Sequence, residues 1–153
     1  MNSNGELFPA AVLAAARAVT YASAMTDKRP MVLVVDDNDA MRKLLVSDLT
    51  QDTTLRVESA STGAEALKKA VSPDCAVIVL DMILPDTDGL QFIEQLREVR
   101  PDTPSIIAIT GASQSLVPDS IIEGPYRGLV SAIFRKPIDR VKLRETVVFC
   151  AQT

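Results

Sequence analysis

The apolar run Cys75-Ala76-Val77-Ile78-Val79-Leu80 ends in Asp81, and the turn-rich string Met82-Ile83-Leu84-Pro85-Asp86-Thr87-Asp88-Gly89 follows at once. A short β-rich run bounded by turn residues reads as a strand buried on both faces. Strands of that kind belong to parallel sheets covered by helices. An aspartate at the carboxyl end of one lies where open α/β sheets place their reactive groups. A second run, Met31-Val32-Leu33-Val34-Val35, ends the same way, in Asp36-Asp37. Three carboxylates at the ends of two buried strands predict an acidic site suited to a metal ion and a phosphoryl group.

From Met31 onward strand and helix patterns alternate. The strand at 31–35 precedes a helix over about 39–50 with Met41, Leu44, Leu45 and Leu49 as its apolar face. A weak strand at 55–60 follows, then a capping-box signature, Thr62-x-x-Glu65, opening a helix to Val71. After the strand that ends in Asp81, Asp88-x-x-Gln91 opens another helix with a stripe of Leu90, Ile93 and Leu96. Residues 105–110 and 131–135 read as the fourth and fifth strands, and 138–150 as the last helix. Five βα units predict a flavodoxin-like, doubly wound parallel sheet of order 2-1-3-4-5. In that order strands 1 and 3 are neighbours, so Asp36, Asp37 and Asp81 converge.

Residues 1–29 differ in character and are read as an Ala-rich extension, helical or loosely attached, before a domain over 30–153. The 153 residues suffice for one sound core. A net charge of -4 and the lack of a Lys/Arg-rich run speak against nucleic acid as the direct partner. No apolar stretch is long enough to insert in a membrane, and the expected location is cytoplasmic. Cys75 and Cys150 read as reduced core thiols. The chain has no histidine, which removes imidazole acid/base chemistry and leaves carboxylate, hydroxyl and lysine.

Every strand end but the second carries a candidate group: Asp36 and Asp37, Asp81, Thr110, and Lys136. Each alone has an ordinary reading, as a turn residue, a strand end or a helix start. In conjunction they make a phosphoryl-transfer site. Three crowded carboxylates call for a hard cation, and Mg²⁺ favours few carboxylates, water and phosphoryl oxygens. Asp81 would be the nucleophile, Thr110 a hydrogen-bond donor to a phosphoryl oxygen, and Lys136 a balancing positive charge.

The strings Val34-Val35-Asp36-Asp37-Asn38, Leu80 to Gly89, Thr110-Gly111 and Lys136-Pro137 resemble the receiver domain of bacterial two-component response regulators. The resemblance covers roughly residues 30–150. It implies Asp81 as phosphoacceptor; Asp36, Asp37, Asp81 and the backbone carbonyl of Ile83 as Mg²⁺ ligands; Thr110 as switch hydroxyl; and Lys136 as the phosphate-pairing lysine. It also implies a histidine kinase or histidine phosphotransfer protein as donor. The chain is then a phosphoacceptor signalling protein rather than an enzyme, its only catalysis being its own phosphoryl transfer and autodephosphorylation. The expected form is a single-domain regulator, monomeric or weakly dimeric, that signals by phosphorylation-dependent binding to a downstream protein. Two other classes compete: a receiver-fold binding module that takes no phosphate, and a phosphatase of the haloacid dehalogenase type. The latter wants a second Asp where Ile83 stands.

The chain departs from the family in two places. Receivers carry an aromatic switch residue three positions before the lysine, and here that position is Ile133, while Phe134 should face the other way by strand alternation. Pro118, Gly124, Pro125 and Gly128 lie between the fourth and fifth strands, so an irregular fourth helix is expected, which phosphorylation orders.

Overall fold

The computed structural model describes residues 9–15, 27–111 and 128–153. The five strands are β1 (Met31–Val35), β2 (Arg56–Ala60), β3 (Cys75–Asp81), β4 (Ser105–Thr110) and β5 (Val130–Arg135). The helices of the domain among the described residues are α1 (Asp39–Thr50), α2 (Gly63–Ala70), α3 (Gly89–Val99) and α4 (Arg140–Ala151). A helical stretch over 10–15 lies in the extension. All strand pairs are parallel, in the order β2-β1-β3-β4-β5, the flavodoxin-like arrangement expected from the pattern. The expected irregular helix between β4 and β5 falls largely on residues 112–127, outside the described residues.

The alternation of each strand splits the core into two. Met31, Leu33 and Val35, with Ile78, Leu80, Ile106 and Ala108, face α2 and α3 and meet Ala66, Leu67, Phe92, Ile93 and Leu96. Val32 and Val34, with Val77, Val79, Ile107 and Ile109, face α1 and α4 and meet Leu45, Leu49, Leu143 and Val147. Because both faces are covered, the central strands read as unbroken apolar runs. One apolar position departs from expectation: Leu44 is exposed on α1, because α1 offers the sheet a stripe of Leu45 and Leu49, with Met41 half-buried. Likewise α4 begins at Arg140 rather than 138, because Asp139 is its cap and accepts the Lys142 N–H.

Side chains fix several helix ends. Asn38, Thr62 and Asp88 cap α1, α2 and α3 by accepting the N–H of Met41, Glu65 and Gln91. Just past α3, Arg100 turns its guanidinium back under the sheet. Its Nη1 donates to the carbonyls of Ala70, Ser72 and Cys75 at 3.0, 2.7 and 2.9 Å, joining the end of α2 to the start of β3. The Ser72 carbonyl also accepts the Cys75 N–H, so the guanidinium ties together the turn between α2 and β3. At the same end of the sheet the Met31 N–H donates to the Asp74 carbonyl. Cys75 and Cys150 are both free, and burial pushes the Cys75 thiol up to about 12, which keeps it unreactive. Among the described residues no helix is long and apolar enough to cross a membrane.

Candidate functional site

The order of the strands brings the ends of β1, β3 and β4 side by side. Val35 pairs with Leu80, and Asp81 with Ile109, so Asp36, Asp81 and Thr110 stand at neighbouring carboxyl ends. A carboxylate oxygen from each of Asp36, Asp37 and Asp81 lies within 4.8 Å of the others. Asp36 is 2% exposed, Asp81 5% and Thr110 2%, whereas Asp37 is open to solvent. The cluster therefore has a buried floor and one solvent-facing side.

Local bonds hold each group. The Asp36 N–H extends the β2 ladder to the Ala60 carbonyl, and its Oδ1 accepts the Asn38 N–H at 2.9 Å. Arg42 donates to the Asp36 carbonyl at 2.8 Å. Asp81 Oδ1 accepts the Ile83 N–H at 2.9 Å, and Asp81 Oδ2 accepts from Lys136 Nζ at 3.0 Å. The Lys136 N–H donates to the Thr110 carbonyl, and the Lys136–Pro137 peptide is cis. Of the six buried side-chain polar atoms without a hydrogen-bond partner among the described residues, two, Asp36 Oδ2 and Thr110 Oγ1, lie at these strand ends. Buried polar atoms are nearly always bonded, so two unpartnered atoms at adjoining strand ends, beside an acidic cluster, mark where a ligand's groups would fit.

The electrostatics agree. Burial, with Asp81 and Asp37 as like-charged neighbours, holds the Asp36 carboxyl above its ordinary range despite the Asn38 N–H and Lys136. Burial works to lower Lys136, but its hydrogen bond to Asp81 and the charges of Asp81, Asp36 and Asp37 together keep it above its ordinary value. Among the described residues one lysine thus answers three carboxylates. A hard divalent cation with oxygen ligands fits the deficit and the donor set.

Of the residues singled out from the sequence, Asp36, Asp37, Asp81 and Lys136 converge, with Thr110 at the adjoining strand end. Ile83 lies two residues past Asp81, is 58% exposed and donates its N–H to the Asp81 carboxylate, so a large apolar side chain faces solvent next to the cluster in sequence. Ile133 is 37% exposed, and Phe134 is buried on the opposite face against the α1–α4 core, as strand alternation requires. Sequence reasoning missed two residues that shape the site. Asn38 caps α1 and also bonds Asp36, and its place at the start of a helix was the available signal. Asp86 bonds the first turn of α2 across 22 or 23 residues of sequence, which no local pattern displays.

The family model of the response regulator receiver domain matches residues 32–148. A transcriptional regulatory protein, SrrA of Staphylococcus aureus, is 40% identical over 76 residues, half of this chain and 31% of that relative. The match thus takes in less than a third of the relative's length. Among solved structures, the non-phosphorylated HemR receiver domain of Leptospira biflexa superposes with a TM-score of 0.69 at 22% identity, over 82% of this chain and 96% of that one. The Francisella response regulator 1452 receiver domain gives 0.68 at 23%, over 81% and 98%. The BeF3-activated DrrB receiver domain gives 0.65 at 26%, over 82% and 99%. The chain belongs to the response regulator receiver domain family, a phosphoacceptor module of two-component signalling.

Proposed function

We propose that Asp81 accepts a phosphoryl group, with Mg²⁺ held by Asp36, Asp37, Asp81 and the Ile83 carbonyl, and that a protein partner reads the result. The observation that carries this reading is the convergence of three carboxylates around a lysine-bonded Asp81, beside the unpartnered Asp36 Oδ2 and Thr110 Oγ1. The phosphoryl donor is a histidine kinase or a histidine phosphotransfer protein. An Asp81 oxygen attacks phosphorus, an acyl phosphate bond forms, and the donor's bond to phosphorus breaks in line with it. When bound, Mg²⁺ neutralises charge on the carboxylates and on the phosphoryl oxygens. Lys136 follows the charge that moves from Asp81 to the phosphoryl group, and Thr110 Oγ1 gains an acceptor for its hydroxyl.

The test is incubation with Mg²⁺ and acetyl phosphate, or with beryllofluoride, followed by intact mass or NMR. The chain contains no tryptophan, so intrinsic indole fluorescence is no readout. Wild type is expected to gain one phosphoryl group at Asp81 and Asp81→Asn none. Steady turnover of a small phosphate ester would instead indicate a phosphatase, and no reaction at all a module that only binds partners.

The side chain of Ile83 bears on the lifetime of that group. A bulky, exposed apolar residue two positions past the phosphoacceptor hinders the in-line approach of water to phosphorus. Ile83→Asn is expected to speed hydrolysis of the phosphorylated protein by about 3- to 10-fold, the scale set by modest changes in access and positioning. Phosphate release after removal of the donor measures it, and an unchanged rate would dismiss the shielding role.

A further inference from the structure

We propose that Asp86 is a positioning residue for the acidic site: it holds the loop carrying Ile83 in place by clamping the tip of that loop to the amino end of α2. The proposal rests on the reading of the cluster as a Mg²⁺ site.

The loop after Asp81 is closed on itself. Ile83 forms an antiparallel bridge with Asp88, the Gly89 N–H donates to the Met82 carbonyl at 2.9 Å, and the Leu84 N–H donates to the Thr87 carbonyl at 3.1 Å. The Leu84 N–H to Thr87 carbonyl bond thus closes Leu84-Pro85-Asp86-Thr87 into a short loop in which the chain bends at Pro85 and Asp86. From there Asp86 Oδ1 accepts the Gly63 N–H at 2.8 Å and Oδ2 the Ala64 N–H at 3.0 Å. These are the first two donors of α2, and the Thr62 hydroxyl takes the next, from Glu65. The α2 amino end is satisfied only by combining its own cap with a residue from a distant loop.

The fit is close on both sides. A Cβ on Gly63 would stand 2.3 Å from Thr87 Cγ2 and 3.3 Å from Asp86 Oδ1, so a larger residue there would push the turn away. Burial works to raise the Asp86 carboxyl, but the N–H groups of Gly63, Ala64 and Asp86 itself together hold it below its ordinary range, so the clamp is charged at neutral pH.

The path to the metal ligand is one peptide plane long. The Ile83 carbonyl and the Leu84 N–H belong to the same planar unit. That N–H is held by the Thr87 carbonyl, and Thr87 is the neighbour of Asp86. Fixing Asp86 fixes the turn, the turn fixes the Leu84 N–H, and the Ile83 carbonyl cannot rotate independently. The other side of the same residue is held by the Ile83 N–H on Asp81.

Mg²⁺ titrations of the full chain by calorimetry or NMR, alongside thermal midpoints, test this with four proteins: wild type, Asp86→Ala, Asp86→Asn and Thr62→Ala. Asp86→Ala is expected to bind Mg²⁺ about 10-fold more weakly, the lower end of what outer partners of a metal site contribute. Asp86→Asn should recover part of the affinity, since its carbonyl oxygen still accepts one N–H. Thr62→Ala removes a cap from the same helix without touching the loop; it should lower the midpoint and leave the Mg²⁺ affinity unchanged. Reciprocity requires Mg²⁺ to slow amide exchange at Gly63 and Ala64 in wild type by the same factor. That measurement needs no variant and stands even where Asp86→Ala folds poorly. Affinity within twofold of wild type in Asp86→Ala, equal weakening in Thr62→Ala, or exchange at the two amides indifferent to Mg²⁺ would each overturn the clamp. Wild type that binds no Mg²⁺ would overturn the metal reading itself, and the clamp with it.

Discussion

Phe92→Ala is expected to destabilise the protein by about 3–5 kcal/mol, a large share of the roughly 5–15 kcal/mol that holds a domain of this size together. Phe92 lies on α3, is fully buried, and stands first among the largest fully buried side chains of a core that is otherwise almost wholly aliphatic. It sits in one cluster with Leu80, Met82, Leu84, Ile93, Leu96 and Ile106. The strands that form its floor are fixed by hydrogen bonds on both sides, and several of their residues are β-branched and stiff at χ1. The cavity cannot collapse fully, so the cost should lie toward the upper end of that range. Far-UV circular dichroism during urea or thermal unfolding measures it, with an expected fall in the midpoint of about 10–15 °C. A loss below about 1 kcal/mol would mean that α3 repacks, contrary to the close-packed interior on which the estimate depends.

The central strands were legible because a parallel strand covered on both faces needs apolar residues along its length, and Met31–Val35 and residues 75–80 meet that need. Their carboxyl ends were legible for the same reason: an aspartate that interrupts such a run is conspicuous. The edge strand β2 was fainter, since Arg56 to Ser59 are only half-buried and mixed in type. Leu44 was misread because an apolar residue beside a stripe is indistinguishable in sequence from one within it, and the width of the stripe is decided by how α1 sits on the sheet. Arg100 and Asp86 were invisible in their roles, because each bonds backbone groups more than 20 residues away. Charge and turn propensity mark such residues as exposed; only the tertiary fold shows which main-chain donors or acceptors they complete. The site was thus readable in its side chains and unreadable in the backbone supports that hold them.

Asp36→Asn is expected to raise the stability of the metal-free protein while lowering Mg²⁺ affinity by about 100-fold or more, beyond the effect of losing an outer partner. The two effects have one cause. Asp36 is buried beside two other carboxylates, with one oxygen on the Asn38 N–H and the other unpartnered. Asparagine keeps an acceptor for Asn38 and puts an N–H₂ toward the neighbouring carboxylates in place of a third charge. The gain should be on the order of 1 kcal/mol, the scale of an unsatisfied buried polar atom. Its pH dependence has a definite sign. The folded Asp36 carboxyl titrates above its ordinary value of 3.8. Between that value and the folded one, the folded state keeps a proton that the unfolded chain has released, so stability falls as pH rises through this window. Below it both states are protonated and the penalty vanishes. The midpoint difference between Asp36→Asn and wild type should therefore be near zero at the acid end, grow as pH rises through the window, and stay constant to neutrality. Lys136 does not blur the result, since its own titration lies at the alkaline end. Saturating Mg²⁺ should close or reverse the gap at neutral pH, because the ion stabilises only the protein that binds it. Thermal midpoints with and without Mg²⁺ across that range measure all of this. A metal-free Asp36→Asn protein less stable than wild type at neutral pH would show that the charge at Asp36 is already compensated by its surroundings, and that the cluster needs no cation.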